Sequence, residues 1–148
     1  MEAEEKNRFS LADLAFVIGL AAVAVLIPIA IVRFHFLGHG LSEHSPIQLT
    51  VGILITLLAT LFVGFNLYTS FWRPWRYRRS HGDYEGYQYV SGAPGLGSIL
   101  IGLAAFFLPS SIWIGVVLLA LYLMDPGGLL VAAAVIIREC FSPKTNNA

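Results

Sequence analysis

The sequence predicts an all-α fold, an integral membrane bundle of four transmembrane helices, the last broken at Asp125-Pro126-Gly127-Gly128. Three observations predict it. The 148 residues are 57% hydrophobic and 12% charged, with a mean hydropathy of +0.73, whereas soluble domains carry about 25% charged residues. The apolar residues stand in long blocks rather than at a period of 2 or 3.6, as in helices solvated by lipid. The last block is interrupted by one carboxylate, one proline and two glycines, at a depth where an ionisable group is costly. A chain of this length makes a single membrane domain over 1–148. Nine basic and nine acidic residues cancel, and no basic stripe suggests nucleic acid as a partner.

The first span is expected over residues 11–32. Ser10 and Asp13 form an S-x-x-D capping box at its start, which gives Asp13 a backbone role. Pro28 is expected to kink its last third, supported by a neighbouring helix. The preceding Met-Glu-Ala-Glu-Glu-Lys-Asn-Arg is too acidic for a signal-peptide n-region, so this span is expected to stay as an anchor.

The second span, 46–72, starts with Ser45 as N-cap, Pro46 at N1 and Gln48 at N3. On it Gly52, Thr56, Thr60 and Gly64 recur every four residues, a small stripe read as a helix-packing face rather than a hydrophilic path. The third span, 90–108, has a glycine-rich entry at Gly92, Gly95 and Gly97, and Ser98, Gly102 and Ala105 put small residues on one face. Gly95-x-Gly97 is not followed by a G-K-S/T, so phosphate binding is set aside. Pro109-Ser110-Ser111 is a tight turn into the fourth span, 111–137.

Charge orients the bundle. With four crossings and a cytoplasmic N-terminus, Lys6, Arg8, Arg73, Arg76, Arg78, Arg79, Arg138 and Lys144 lie inside and only Arg33 outside. Were the Asp125 turn a link between two full crossings, Arg138 and Lys144 would move outside. Residues 112–124 would then have to cross with a helix of about 20 Å, short of the roughly 30 Å core. The expectation is therefore a multi-pass membrane protein with both ends cytoplasmic. A re-entrant pair of half-helices is the other geometry the sequence leaves open.

Asp125 is the candidate ion or proton site. Asp-Pro reads as N-cap then N1 of a second half-helix, and Pro126 frees carbonyls near Tyr122 and Leu123. Two roles stay open: a cap, or a carboxylate that with free carbonyls holds a proton or small cation. The outer loop carries His35, His39, Glu43 and His44. His35 and His39 have metal-ligand spacing, but Gly38 and Gly40 oppose the helix that would align them, so no metal or cofactor is expected. The inner loop, 73–89, pairs Phe71, Trp72 and Trp75 with four arginines, an interfacial anchor to the lipid bilayer. It also presents Tyr84, Glu85, Tyr87 and Tyr89, a candidate partner-binding set. The single Cys140 excludes an intrachain disulfide and reads as an interfacial thiol. H-E-x-x-H, G-x-S-x-G and C-x-x-C are all missing from the sequence, so no enzyme is expected.

The tract Val90-Ser91-Gly92-Ala93-Pro94-Gly95-Leu96-Gly97-Ser98, the helix end Leu108-Pro109 and Leu123-Met124-Asp125-Pro126-Gly127-Gly128 together carry a resemblance. They resemble small multi-pass bacterial inner-membrane proteins in which S-G-x-P-x-x-G-S and L-D-x-G-G motifs frame the last spans. Some of that group look like immunity partners of polymorphic or contact-delivered toxins. Over residues 90–130 the resemblance implies a non-enzymatic protein that binds a toxin acting at the inner membrane. The alternatives are a small channel or transporter subunit using Asp125, and a membrane assembly or scaffold factor. A homo-oligomer is a further expectation, since four helices make a thin bundle.

Overall fold

The computed structural model describes residues 11–39, 45–88, 92–93 and 95–141, and all regular structure among them is helical. Helix α1 (Leu11–Ile31) runs into a π-helical turn at Val32–Phe36. Helix α2 (Pro46–Leu67) runs through a second π-helical turn, Tyr68–Trp72, into α3 (Arg73–His81). Then come α4 (Leu96–Phe107), α5 (Ile112–Met124) and α6 (Leu129–Phe141). Three stretches, Ala15–Phe36, Pro46–His81 and Ile112–Arg138, are long and apolar enough to cross a membrane. α4, at 12 residues, is shorter.

Local chemistry explains most boundaries. Ser45 Oγ accepts the Gln48 N–H and Gln48 Oε1 accepts the Ser45 N–H, the reciprocal cap expected at the start of α2. Pro74 lacks an N–H for the turn before it, and the π-helical turn Tyr68–Trp72 absorbs that mismatch without ending the helix. Thr69 Oγ1 donates to the Phe65 and Asn66 carbonyls inside this region. α3 stops at Gly82, whose φ of +87° suits glycine and whose N–H closes on the Arg78 carbonyl.

Pro28 leaves the Ala24 carbonyl without its usual intrahelical donor. The Tyr122 hydroxyl on α5 donates to that carbonyl at 2.5 Å, and Tyr122 is 2% exposed. The neighbouring helix that the proline needs is therefore α5.

The remaining contacts arrange α5 and α6 along α1. Ser110 Oγ donates to the Phe34 carbonyl at 2.6 Å, and Gly115 faces His35 and Phe36 so closely that a Cβ there would collide. Tyr122 meets Ala24, and Leu129 and Ala133 pack on Ala24 beside Leu20. Reading forward through α5 and α6 is thus reading backward along α1. The half-helices follow one another and do not fold back as a hairpin. α4 lies antiparallel to α2, with Gly52 against Phe107 and Leu108 at one end and Gly97 near Val63 at the other. The core is built from Ile31, Ala59, Val63, Ile101, Leu118 and Tyr122, with small residues Ala104 and Ala105 between them.

Several expected boundaries are corrected. The third span begins as non-helical chain at Gly92 and Ala93 and turns helical only at Leu96. The inner loop 73–89 is helical to His81, because arginine and tyrosine continue a helix readily once the π-helical turn has accommodated Pro74. The four-residue stripe on α2 drifts off the packed face. Gly52 is buried, Thr56 is half-buried, but Thr60 and Gly64 are exposed and a Cβ at Gly64 would meet nothing within 4 Å. The buried line is Gly52, Ala59, Val63 and Asn66. The hydroxyls of Thr56 and Thr60 bond back to the Gly52 and Thr56 carbonyls. Ser98 and Gly102 are buried, Gly102 against Ile27 of α1.

Candidate functional site

The break after α5 is the most polar part of the interior. Asp125, 1% exposed, leaves the helix with φ −79° and ψ +99°. Its Oδ1 accepts the Gly127 N–H at 3.1 Å, and its carbonyl accepts the Gly128 N–H at 3.0 Å. This is an Asx turn within a tight break between two helices in series. Asp125 was expected to be the N-cap of the following half-helix with Pro126 at N1. The structure corrects that: α6 begins three residues after Pro126, at Leu129. Ser98 of α4 supplies the cap instead, its Oγ accepting the Leu129 N–H at 3.1 Å. Side-chain capping normally comes from the same chain segment; here the hydroxyl comes from another helix.

Asn66, fully buried on α2, joins this turn to the entry of α4. Its Nδ2 donates to Asp125 Oδ1 at 2.8 Å and to the Ala93 carbonyl at 3.4 Å. Its Oδ1 accepts the Ala93 N–H at 3.0 Å. The amide thus pairs with a peptide group as a second backbone strand would. Non-helical backbone in an apolar interior needs such a partner. The Gly95 N–H, at φ +78°, closes the knot on the Gly127 carbonyl at 2.6 Å.

Glycine makes this packing feasible. A Cβ at Gly92 would run into Asn66 Oδ1, one at Gly127 would sit 2.6 Å from Asn66 Nδ2, and one at Gly97 would sit 2.7 Å from Asp125 Oδ2. The glycine-rich entry and the Gly127-Gly128 pair therefore surround two polar side chains. Asp125 Oδ2 has no hydrogen-bond partner among the described residues. Sequence reasoning singled out Asp125 but missed Asn66. The signal was available: Asn66 carries the one carboxamide within the apolar run 49–72, and such groups in apolar helices bond across helices.

The second candidate region is α3 and the turn after it. The Tyr77 hydroxyl donates to the Glu85 carbonyl at 2.8 Å, and the Tyr77 ring stacks on His81 with centroids 4.1 Å apart. Tyr77 also packs on Tyr87 at 5.0 Å. Asp83 Oδ1 accepts the Glu85 N–H at 2.9 Å. These contacts fold residues 82–88 back against α3. Tyr84 and Glu85 are exposed and Tyr87 is half-buried; Tyr89 lies outside the described residues. The guanidinium groups of Arg78 and Arg79 sit over Tyr84 and Trp75, at 5.5 and 5.4 Å from the ring centroids.

The histidines do not converge. His35 is 2% exposed, near the Ser111 N–H at 3.4 Å, whereas His39 is exposed. His44 and Glu43 fall outside the described residues, as do Ser10 and the side chains of Asp13 and Cys140. Among the described residues, no three His, Cys, Asp or Glu side chains cluster as a metal site.

Compared with protein-family models, with curated proteins and with solved structures, the chain matches none.

Proposed function

We propose that the chain is an integral membrane protein of four crossings that acts without catalysis, by binding a protein partner through the segment Arg73–Gln88. In this reading both ends are cytoplasmic and the fourth crossing consists of α5 and α6 in series. Their order along α1 supports that crossing, since a re-entrant hairpin would pack α6 on α5. α4 alone covers about 18 Å, so its crossing is completed by the chain that enters it, where Asn66 pairs with the N–H and carbonyl of Ala93.

The observation that carries partner binding is the folded turn on α3. Tyr77 holds residues 82–88 in place before any partner arrives, which lowers the ordering cost of association. Tyr84 and Glu85 are then displayed as an aromatic and an acid on a fixed support. The partner class suggested by the resemblance over 90–130 is a toxin acting at the inner membrane, with this chain as its immunity protein. The test is protection of cells expressing the product of an adjacent toxin-sized gene. Protection by the wild type, lost in Tyr84→Ala/Glu85→Ala with insertion unchanged, is the expected result. Equal protection by both proteins would move the binding face elsewhere, and no protection by either would end the immunity reading.

One observation favours a second reading. Asp125 Oδ2 is buried without a hydrogen-bond partner among the described residues, as a proton or small-cation site in a transport subunit would require. Flux into liposomes that disappears in Asp125→Asn would promote it. Wild-type liposomes as tight as empty ones would remove it.

A further inference from the structure

A cationic cleft and an apolar trough meet on one residue at the junction of α2 and α3. The cleft is lined by Tyr68, Arg73, Arg76, Tyr77, Ser80 and Gln88, among others, and none of its lining residues is a carboxylate. Arg73 and Arg76 are three apart on α3 and so share a face. Among the described residues neither makes an ion pair or a protein hydrogen bond, although Asp83 and Glu85 lie close in sequence. Arg73 is held near the Tyr87 ring, 5.8 Å from its centroid. Each guanidinium therefore keeps its donors available, in the fork geometry that matches phosphate oxygens. The trough shares Tyr68 with the cleft and is lined by Leu67, Phe71, Trp72, Trp75 and Tyr84, among others.

We infer that this pair of surfaces is a binding site for one anionic phospholipid. Its phosphodiester sits between Arg73 and Arg76, and an acyl chain lies along Leu67, Phe71 and Trp72. A free phosphate would use only the cleft. A zwitterionic lipid would bring a cation to a place that already holds two. The junction is also where the apolar helix becomes arginine-rich, the level of headgroups if the chain spans the membrane, so the inference rests on that part of the proposed function. Tyr84 of the proposed partner face also borders the trough, whereas the cleft that takes the phosphate is lined by neither Tyr84 nor Glu85.

The experiment uses the full chain in vesicles with Trp113→Phe as background, because Trp113 lies at the far end of the helices from Trp72 and Trp75. Quenching of the remaining tryptophan emission by brominated phosphatidylglycerol is compared with quenching by brominated phosphatidylcholine. A preference for phosphatidylglycerol is expected. It should fall on the order of tenfold in Arg73→Gln/Arg76→Gln and persist in Arg138→Gln/Lys144→Gln, which removes the same charge from a part of the chain expected on the same side of the membrane. Equal loss in the two pairs would mean diffuse charge attraction and overturn the site. Displacement of the lipid by millimolar inorganic phosphate would reassign the cleft to free phosphate and overturn the lipid assignment. If circular dichroism shows the glutamine pair to be unfolded, Arg73→Lys/Arg76→Lys replaces it. A weaker, more salt-sensitive preference is then expected, and an unchanged one overturns the role of the guanidinium fork. Carbonate extraction separates the two levels of the argument. A chain that stays in the membrane yet shows no lipid preference removes this site alone, whereas an extractable chain removes the spanning reading and the site with it.

Discussion

Asn66 shows how much one buried amide can hold. It pairs with both polar groups of Ala93 and with Asp125 Oδ1, so Asn66→Ala strands a peptide N–H and weakens a carboxylate contact. We expect a loss of about 2 kcal/mol, read as a lower thermal midpoint in detergent. Glycines split into two groups by what surrounds them. Gly127→Ala pushes a Cβ against Asn66 Nδ2 and should cost about 1–3 kcal/mol. Gly64→Ala meets nothing within 4 Å on a helix and should stabilise by about 0.5–1 kcal/mol. The same melting assay reads both, and a midpoint raised by Gly127→Ala would contradict the knot as described. Tyr122 and Pro28 are coupled through one carbonyl. Tyr122→Phe should cost about 1 kcal/mol in the wild type and markedly less in Pro28→Ala, where residue 28 regains an N–H for Ala24. Additive effects in that double-mutant cycle would break the link.

At the scale of elements, α6 depends on α4 for its start. Ser98→Ala removes the hydroxyl that accepts the Leu129 N–H, so α6 should fray first. The expected cost is about 1 kcal/mol, with faster hydrogen exchange at the Leu129 amide than in the wild type; an unchanged rate there would show that the cap is dispensable. Helix starts that rest on neighbouring residues were legible in the sequence, as the Ser45-Pro46-Gln48 cap of α2 demonstrates. The start of α6 was not, because its cap arrives from 31 residues away. The same reason hid the entry to α4. An apolar, glycine-rich segment reads as helix from composition, yet the chain at Gly92 and Ala93 stays non-helical, and Asn66 partners both backbone groups of Ala93. The continuation of α2 through Tyr68–Trp72 into α3 was also illegible, since proline ordinarily marks an end and a π-helical turn has no local signature.

Over the whole molecule, the long apolar surfaces of α1 and α2 remain exposed. Phe16, Ile18, Leu54, Leu57 and Leu61 are each more than half exposed, a pattern that fits lipid as the solvent far better than water. The four-crossing proposal makes a topological prediction. A reporter fused at Ala148 should respond as a cytoplasmic one, matching a reporter in the 82–88 turn. A reporter active only on the outer side would require the re-entrant arrangement and would contradict the antiparallel course of α5 and α6 along α1.

By itself, the sequence determined the helical class, the α2 cap and the place of the last break, because these follow from hydrophobic block length and from contacts within a few residues. Only the tertiary structure decided how the break is held together. Asp125 turned from a presumed N-cap into the centre of a knot whose other members, Asn66, Ala93, Ser98 and Gly95, come from two other parts of the chain. The physical reason is that broken backbone in an apolar interior must find donors and acceptors wherever the fold brings them, and no local pattern records where that will be.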